Sequence, residues 1–396
     1  MVLSLALAIA LLSLTIWLGL LLLWGQFWRA DQRLPAAEPA PRAHEPSVCA
    51  IVPARNEADL LPQTLPALLS QDYPGSWRVI LADDRSTDGT AAVARTLASS
   101  FHTPLQVLTV DPLPAGWTGK LWALEQGIQA AARLEPAPDY LWLTDADIVH
   151  GSDVLRRLVA KAVDDDRDLV SLMVQLRCES AWEILLIPAF VFFFQKLYPF
   201  RWVNQRRSPV AAAAGGCILV RRQALEASGG LAAIREALID DCALAQVIQQ
   251  QAHSQGRGGL WLGLSETSYS LRPYDSLQTI WDMVARTAYT QLHYSPLLLL
   301  GTSLGLALIY LAPPLGCLLG LGLGDGRLAL LSAIAWLLMA IAYWPTLRLY
   351  RGSPWLAGAL PAIASLYTLM TLDSARRHWQ GQGGAWKGRV YPSAKG

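Results

Sequence analysis

Long runs of apolar residues lie at both ends of the chain. The first, residues 2–24, contains no charged residue and exceeds the ~20 residues that a helix needs to cross the hydrocarbon of a bilayer. Three more runs lie near the C-terminus, at residues 297–323, 328–347 and 355–372. We therefore predict an N-terminal transmembrane anchor at residues 1–24 and a C-terminal membrane block at residues 297–372. A cleaved signal peptide is the alternative for the first run, but no basic residue precedes it and it exceeds the usual ~7–15 residues.

Basic residues predict which side of the membrane each part occupies. Arg29 and Arg33 follow the first run, so the positive-inside rule places the chain after it in the cytoplasm. If all three C-terminal runs cross, the basic tail at residues 373–396 ends outside, against the same rule. The first C-terminal run contains Pro313 and Pro314, so it is either a kinked span or a re-entrant hairpin. The hairpin would resolve the conflict.

Between the apolar ends, strand-like and helix-like patterns alternate. Residues 25–46 are rich in Pro, Ala and charge, which is typical of a linker, and residues 47–292 form the predicted cytosolic domain. This domain is predicted to be an α/β fold with a mostly parallel sheet and helices on both faces, which binds ligands at the carboxyl ends of its strands. The predicted strands are residues 48–52, 77–81, 105–109, 140–144 and 169–174, and the helices lie near residues 60–69, 90–98, 121–134 and 154–163.

Composition supports a membrane protein and excludes other classes. Hydrophobic residues make up 53% and charged residues 16% of the chain, against roughly 25% charged in a soluble domain. Lys and Arg number 32 against 31 Asp and Glu, so charge gives no reason to expect nucleic acid as a partner. The five cysteines are scattered without a CxxC pair, which predicts reduced thiols rather than a disulfide framework or a zinc site.

Two polar motifs follow the first two predicted strands. Pro53, Arg55 and Glu57 belong to a PARNE segment directly after the first strand, where the start of a helix is the alternative. Asp83 and Asp84 follow the second strand, ahead of Ser, Thr and Asp residues suited to capping the next helix. Adjacent carboxylates repel each other, so this pair predicts a positive or hydrogen-bonding partner, such as a ribose or a base edge.

Two more motifs supply charge for a phosphate or a metal. Lys120 opens a predicted helix, where the helix dipole disfavours a cation unless an anion such as phosphate is bound; the segment lacks the P-loop pattern. Asp145 and Asp147 follow the fourth strand, and alternate residues of an extended chain point the same way. Two hard oxygen donors suit Mg²⁺ or Mn²⁺ with a diphosphate, and a turn or helix cap is the alternative.

A last motif lies further along the chain. Gly216 belongs to an AGGC segment, and Asp240 and Asp241 follow an isoleucine just before a helical pattern. One of these aspartates either caps that helix or serves as a general base.

Taken together, these residues resemble the inverting family 2 glycosyltransferases, which have the nucleotide-diphosphosugar fold called GT-A. The match follows the order and spacing of the motifs from residue 47 to about residue 241. The resemblance implies that Asp241 is the catalytic base, that Asp240 stands where glutamate is common, and that Asp145 and Asp147 bind Mg²⁺ or Mn²⁺. The residues expected around the nucleotide-diphosphosugar donor are Pro53, Arg55, Glu57, Asp83, Asp84, Lys120, Asp145, Gly216, Asp240 and Arg286.

One element of the processive members of that family is missing. They carry QxxRW after the base, whereas residues 283–287 of this chain read MVART, without glutamine or tryptophan. We therefore do not expect processive polymer synthesis. Arg286 is a candidate contact for the diphosphate, and alternatively the partner of Asp282 in an i,i+4 pair on an amphipathic helix.

The order of anchor, domain and membrane block is most similar to the hopanoid-biosynthesis-associated (hopene-associated) glycosyltransferases. This resemblance implies transfer of a sugar, expected to come from a UDP-sugar, to a hopanoid or related lipid alcohol at the inner (cytoplasmic) membrane, with the catalytic domain in the cytoplasm. The segments that carry it are GWTGK at residues 116–120, IDD at 239–241, MVARTAYTQL at 283–292 and WKGRVYP at 386–392.

A lipid acceptor also agrees with residues 179–203, where apolar and aromatic residues precede basic ones. This order predicts a helix in the membrane interface, and a buried core helix is the alternative. Polyprenyl phosphate is a second acceptor class. A non-catalytic nucleotide-sugar binder would keep Asp84, Asp145 and Asp147 without needing Asp241. A transporter is not expected, because the four apolar runs contain almost no polar residues.

Overall fold

A single mixed sheet forms the centre of the protein. The computed structural model describes residues 2–35, 40, 42–256, 258–382, 385–386 and 389–390; parts of the predicted linker and basic tail lie outside this range. Among the described residues, eight strands form the sheet in the order β3-β2-β1-β4-β7-β6-β8-β5. They are β1 Val48–Ala54, β2 Trp77–Asp83, β3 Leu105–Thr109, β4 Tyr140–Thr144, β5 Ile148–Val149, β6 Leu169–Gln175, β7 Cys217–Arg221 and β8 Leu260–Ser270.

Most neighbouring strands of the sheet are parallel. β1 pairs in parallel with β2 and β4, β2 with β3, and β6 with β8, whereas β7 runs antiparallel to β4 and β6, and β5 to β8. The prediction of a mostly parallel sheet is confirmed, and so are the five predicted strands. β5, β7 and β8 were not predicted.

Helices surround the sheet and continue at both ends of the chain. The four predicted helices are confirmed within a few residues. The α-helices are α1 Val2–Leu22, α2 Leu61–Leu69, α3 Thr90–Ala98, α4 Gly119–Ala132, α5 Val154–Asp164, α6 Ala181–Leu197, α7 Phe200–Val203, α8 Arg222–Ala227, α9 Asp240–Gln255, α10 Leu277–Ala285, α11 Ala288–Gln291, α12 Pro296–Leu306, α13 Ala312–Leu323, α14 Gly326–Leu349 and α15 Leu360–Trp379.

Strand β1 shows why the central strands read as continuous apolar runs. All seven of its residues are buried, because alternate side chains enter hydrophobic clusters on opposite faces of the sheet. Cys49 and Ile51 lie in the cluster with α4, and Val52 lies in the cluster with α2 and α5. A Cβ at Gly127 would lie 2.5 Å from Ile51 Cγ2, so glycine lets α4 lie close against the sheet. This contact fixes where α4 begins, and with it the position of its first turn.

The ends of the chain form helices of membrane-spanning length. Within the part of the chain that the structure describes, four helices are long and apolar enough to cross a bilayer: Leu3–Leu22, Pro296–Leu323, Gly326–Leu349 and Pro354–Trp379. The first C-terminal run is helical throughout and contains a π-helical turn at Ala307–Leu311, just before its two prolines. Such a turn commonly marks a kink. The run is therefore one continuous helix rather than a hairpin.

Helix α6 and the linker both lie against other parts of the protein. Leu186 and Phe192 of α6 are fully buried in a cluster with Trp17 and Tyr343 from the apolar terminal helices. The observed α6 is thus the buried alternative to a helix lying in the interface. In the linker, the carbonyl oxygen of Gln32 accepts a hydrogen bond from the Leu264 N–H at 2.7 Å. At this point the linker therefore lies beside β8.

The turn between α13 and α14 generates a prediction about stability. A Cβ at Gly320 would lie 2.4 Å from the backbone nitrogen of Ala329, whereas one at Gly322 would meet nothing within 4 Å. Close packing of apolar helices through small residues depends on this missing side chain. We expect Gly320→Val to lower the free energy of unfolding by roughly 1–3 kcal/mol and the Tm with it. Thermal unfolding of the detergent-solubilised protein measures this, with Gly322→Val as the control; equal losses would contradict the prediction.

Candidate active site

A cavity of about 290 Å³ lies at the carboxyl ends of β1, β4 and β6. It brings together nine of the predicted site residues, and the walls also contain residues that the sequence did not single out. The nine are Pro53, Glu57, Lys120, Asp145, Asp147, Gly216, Asp240, Asp241 and Arg286. Three other predicted residues, Arg55, Asp83 and Asp84, lie at the adjacent ends of β1 and β2 and are not among the residues that line the cavity.

Arg55 supplies the positive partner that the two adjacent aspartates require. Its Nη1 donates to the Asp84 carbonyl oxygen at 2.8 Å and lies 3.2 Å from Asp84 Oδ2. Asp83 and Asp84 are 5% and 1% exposed. The positive partner predicted for this pair of carboxylates is therefore supplied by the protein rather than by a ribose or a base edge. That these residues bind a nucleoside stays a prediction.

The loops after β1 and β2 are tied together by hydrogen bonds. Asn56 has a φ of 53°, and its N–H donates to Ser86 Oγ at 2.9 Å. The Glu57 N–H donates to Thr90 Oγ1 at 2.9 Å. The Ser and Thr residues after the aspartate pair therefore hold the PARNE segment in place, which fixes Pro53 and Glu57 at the cavity.

Lys120 lies among carboxylates at one end of the cavity. The hydroxyl of Thr118 caps α4, which places the lysine in the first turn. Its Nζ is 2.9 Å from Asp145 Oδ1 and 3.5 Å from Asp240 Oδ2. Burial lowers the pKa of Lys120, but the charges of Asp145 and Asp240 outweigh it and raise the pKa overall. The anion expected at this helix start is therefore present as carboxylate, and the lysine stays charged.

Arg272 neutralises a second group of carboxylates. It follows β8, and its Nε donates to Asp147 Oδ2 at 3.2 Å while its Nη2 donates to Glu57 Oε1 at 3.3 Å. The hydroxyl of Ser270 donates to the same Asp147 oxygen at 2.7 Å. Asp147 and Glu57 are nearly inaccessible, at 5% and 6% exposure. Arg272 thus links the PARNE loop to the end of the aspartate motif.

The carboxylates of the cavity suit a divalent cation only with help from a substrate. Among the described residues, no group of three or more His, Cys, Asp or Glu side chains is arranged to hold a metal ion. Nevertheless, five carboxylates line the cavity against three cationic side chains, an excess of two negative charges. Mg²⁺ is commonly bound by one or two carboxylates with substrate phosphates completing the shell. The donor set therefore fits a metal held jointly by Asp145, Asp147 and a diphosphate.

Asp241 has the features of a general base. It lies in the first turn of α9, its Oδ2 accepts a hydrogen bond from the Gly215 N–H at 2.9 Å, and its Oδ1 accepts one from the Cys242 N–H at 2.7 Å. Burial and the adjacent charge of Asp240 raise the pKa of Asp241 to about 6, against the opposing effect of Lys120. The N-cap of α9 is Ile239 with no side-chain cap, so neither aspartate is the helix cap that was the alternative.

Glycine at position 215 permits this arrangement. A Cβ there would lie 3.1 Å from Lys120 Nζ and 3.5 Å from Asp241 Oδ2. At Gly216 a Cβ would lie 3.0 Å from Val174 Cγ2. Gly215 therefore lets the backbone approach the charged cluster closely enough for its N–H to orient Asp241, and Gly216 lets the same backbone lie against Val174.

Aromatic side chains and one more cation also line the cavity. Phe190 and Phe194 project from α6, and Arg286 lies at the end of α10. Among the described contacts, Lys120 and Arg272 pair with carboxylates, whereas Arg286 forms no ion pair. Asp282, its proposed i,i+4 partner, pairs instead with Arg377 at 2.7 Å. An anionic substrate entering the cavity therefore meets a guanidinium that no described carboxylate neutralises.

Sequence reasoning missed several residues of the site, Arg272 above all. The signal was present, since Arg272 stands just after a strand, as the predicted motifs do. That strand, β8, was not recognised, because its apolar start at Leu260–Trp261 follows a glycine-rich segment. Tyr274, which lines the cavity, was missed as well, because its N–H donates at 2.7 Å to Glu183 Oε1, in a segment far away in the sequence.

Comparison with known proteins supports the fold. A mannosyltransferase from Pyrobaculum calidifontis, whose structure was solved in complex with GDP-Man and Mn²⁺, superposes with a TM-score of 0.54 at 20% identity. The superposition covers 94% of this chain and 99% of that one. The fold is therefore GT-A, with apolar helices added at both ends of the chain. Residues 49–229, a little less than half of the chain, match Glycosyl transferase family 2, so the central part of this chain is similar to that family.

Two relatives of known function share part of this domain. An N-acetylglucosaminyltransferase of Bradyrhizobium elkanii is 35% identical over 127 residues, which are 31% of this chain and 62% of the relative. The glycosyltransferase AglE of Haloferax volcanii is 29% identical over 120 residues, which are 27% of this chain and 39% of the relative. The chain thus spans about two to three fifths of the length of these relatives.

The contacts of Arg272 generate a prediction. Arg272→Met leaves two almost buried carboxylates without their guanidinium, and breaking a buried ion pair from one side costs about 3–5 kcal/mol. Because the Arg272 side chain is 36% exposed, we expect the lower end, a loss of about 3 kcal/mol in the free energy of unfolding. Arg235→Met is the control, since Arg235 and Glu236 are both more than half exposed and 3.8 Å apart. Denaturant unfolding measures both variants, and equal stability would refute the ion-pair argument.

Proposed function

We propose that this protein is a membrane-bound inverting glycosyltransferase. It moves a sugar from a nucleotide-diphosphosugar, most simply a UDP-sugar, to a lipid acceptor. One observation carries the proposal: Asp241, Lys120 and Arg286 line the same cavity as Phe190 and Phe194 of α6, a helix that packs on the apolar terminal helices. Charges for a diphosphate and a surface for a lipid thus border the same space.

Asp241 performs the proton transfer in this proposal. Its carboxylate takes the proton of an acceptor hydroxyl while the oxygen attacks the anomeric carbon from the face opposite the diphosphate, which inverts the configuration. Two backbone N–H groups orient Asp241, so the base is positioned before the acceptor arrives. A raised pKa suits this role, because a carboxylate that is too acidic accepts a proton poorly.

The leaving nucleoside diphosphate departs with negative charge on its terminal oxygen. Lys120 and Arg286 stabilise that charge electrostatically inside the cavity. A Mg²⁺ or Mn²⁺ ion held by Asp145 and Asp147 would supply further positive charge there. Separate carboxylates for base and metal are needed, because a carboxylate bound to a metal is a poor base.

The chemistry of Asp241 favours a lipid alcohol as acceptor. An alcohol must lose a proton to attack, and Asp241 is placed to take it, whereas a polyprenyl phosphate is already ionised and needs no base. Among lipid alcohols, a hopanoid is supported by the sequence likeness in GWTGK, IDD, MVARTAYTQL and WKGRVYP. Arg286 is the observation that favours the second candidate, polyprenyl phosphate, because it lines the same cavity as Phe190 and Phe194 and lacks a carboxylate partner among the described contacts.

Replacing the base tests the proposal. In membranes with Mn²⁺ or Mg²⁺ and a panel of radiolabelled nucleotide sugars, we expect wild type to label the lipid extract. We expect Asp241→Asn to be slower by about 10²–10⁴-fold, the usual contribution of a general base, with unchanged UDP binding. Asp72→Asn is the control, since Asp72 has a side-chain exposure of 67% outside the cavity.

Each result of this assay has a defined meaning. Equal turnover in Asp241→Asn and wild type would overturn the assignment of the base. UDP binding without transfer in either protein, with hopanoid and polyprenyl phosphate both supplied, would indicate a non-catalytic binder. An acid-labile product would identify a polyprenyl-phosphate sugar, and an acid-stable glycoside a lipid alcohol.

The raised pKa of Asp241 predicts how activity depends on pH. The base acts when deprotonated, so kcat/KM should rise tenfold per pH unit up to about pH 6 and level off above it. The charge of Asp240 contributes to the raised pKa, so Asp240→Asn should move this acidic limb to lower pH. Rate measurements from pH 4.5 to 8 for both proteins check this, and a limb that stays in place would show that another group controls it.

A further inference from the structure

The last apolar helix begins and ends beside the catalytic domain. Where α14 ends, the hydroxyl oxygen of Tyr350 accepts a hydrogen bond from the Leu176 N–H, just beyond β6, at 3.2 Å. Where α15 ends, Arg377 Nη1 lies 2.7 Å from Asp282 Oδ1 on α10. One turn earlier, Asp373 Oδ2 accepts from Trp281 Nε1 at 2.8 Å. The chain from residue 351 to residue 379 therefore leaves the domain and returns to it.

A hydrogen bond in the middle of this segment shows how far the segment extends from the domain along α14. The indole Nε1 of Trp336 on α14 donates to the carbonyl oxygen of Gly358 at 3.1 Å. Trp336 precedes Tyr350 by 14 residues, which corresponds to about 21 Å of α-helix at 1.5 Å per residue. The far end of α14, Gly326, lies about 15 Å beyond Trp336 on the same scale. At this contact the segment therefore lies well short of the far end of α14.

We propose that residues 351–379 form a re-entrant membrane segment, which enters and leaves the bilayer on the side of the catalytic domain. Its partner is the hydrocarbon of one leaflet. α1, the α12–α13 helix and α14 then cross the membrane. The proposal does not depend on sugar transfer, because it rests on contacts at both ends of the segment.

The distribution of charge agrees with this topology. Arg348 and Arg351 at the start of the segment and Arg376 and Arg377 at its end lie on the domain side. The turn at the far end of α14 has one basic residue, Arg327, next to an aspartate. The basic tail stays with the domain, as the positive-inside rule requires. The conflict in the sequence is thus resolved by the third C-terminal run rather than the first.

The surface of the segment suits contact with lipid. Its exposed residues include Trp355 at 89%, Leu369 at 51% and Leu372 at 41% exposure. The backbone polar groups of a membrane segment must be satisfied within the protein, and α15 is helical for 20 residues. Its inner face reaches the site indirectly, since the hydroxyl of Tyr367 donates to the Leu186 carbonyl oxygen of α6 at 2.9 Å. The segment therefore contacts both α6, which carries Phe190 and Phe194, and α10, which ends at Arg286.

Cysteine labelling of the full-length protein tests the topology. In a background with Cys178 and Cys317 replaced by Ser, the three remaining cysteines are buried. Single cysteines are introduced at Ser353, near the start of the segment, and at Gln382, just beyond its end; both positions are exposed. Ser100→Cys marks the domain side and Arg327→Cys the far side. A membrane-impermeant maleimide is applied to intact cells and to inverted vesicles. We expect Ser353→Cys and Gln382→Cys to be labelled together with Ser100→Cys and from the face opposite Arg327→Cys.

A cysteine in the middle of the segment distinguishes insertion of the segment into the bilayer from contact with the membrane surface. Gly358→Cys adds a side chain where a Cβ meets nothing within 4 Å, so the variant is expected to fold. It should react with a lipophilic maleimide and resist the impermeant one from both sides. Labelling of Ser353→Cys and Gln382→Cys from opposite faces would show that the segment crosses the bilayer and overturn the proposal. Labelling of Gly358→Cys by the impermeant reagent would place the segment outside the bilayer and overturn it as well.

Discussion

The position of the Lys120 ammonium is the interaction on which the site depends. Three carboxylates, those of Asp145, Asp240 and Asp241, converge at one end of a buried cavity, where like charges repel strongly. At an effective dielectric constant of 20, two unit charges 4 Å apart interact by about 4 kcal/mol. Lys120 lies 2.9 Å and 3.5 Å from two of these carboxylates, so its charge offsets part of this repulsion. The helix start, the Thr118 cap and the glycine at position 215 all serve to place that one charge.

The same charge balance sets the conditions for binding a donor. Lys120 and Arg272 are engaged by carboxylates, so a diphosphate entering the cavity competes with Asp145 and Asp240 for the lysine. A divalent cation that arrived with the diphosphate would offset the negative charge that the diphosphate adds to a cavity already holding an excess of two carboxylates. Charge compensation would in this way link donor binding to a metal, even though the described protein residues alone do not form a metal cage.

The site residues that the sequence predicted are those that local patterns along the chain mark. Residues directly after β1, β2 and β4 were found because buried strands read as apolar runs and their ends are marked by aspartates and turns. Arg272 was not found, since β8 breaks the apolar pattern with glycine and its end meets Asp147 across more than a hundred residues. The side of the membrane on which the basic tail lies could likewise not be decided from the sequence. Length and hydropathy make residues 355–372 look like any other span, and only the contacts of Tyr350 and Arg377 show that both ends lie at the domain.

Glu183 connects the membrane helices to the charged centre. It is fully buried in the first turn of α6, where one carboxylate oxygen accepts from the Ser180 N–H in a capping box. The other oxygen accepts from the Tyr274 N–H at 2.7 Å. Burial alone would raise the pKa of Glu183, but these backbone donors and Arg177 lower it overall, so it remains a carboxylate. Because Tyr274 is two residues from Arg272, the position of α6 against the membrane helices also fixes the guanidinium that holds Asp147. Hydrogen bonds and a short stretch of backbone thus connect α6, which lines the cavity with Phe190 and Phe194, to Asp147, so a shift of α6 would displace both.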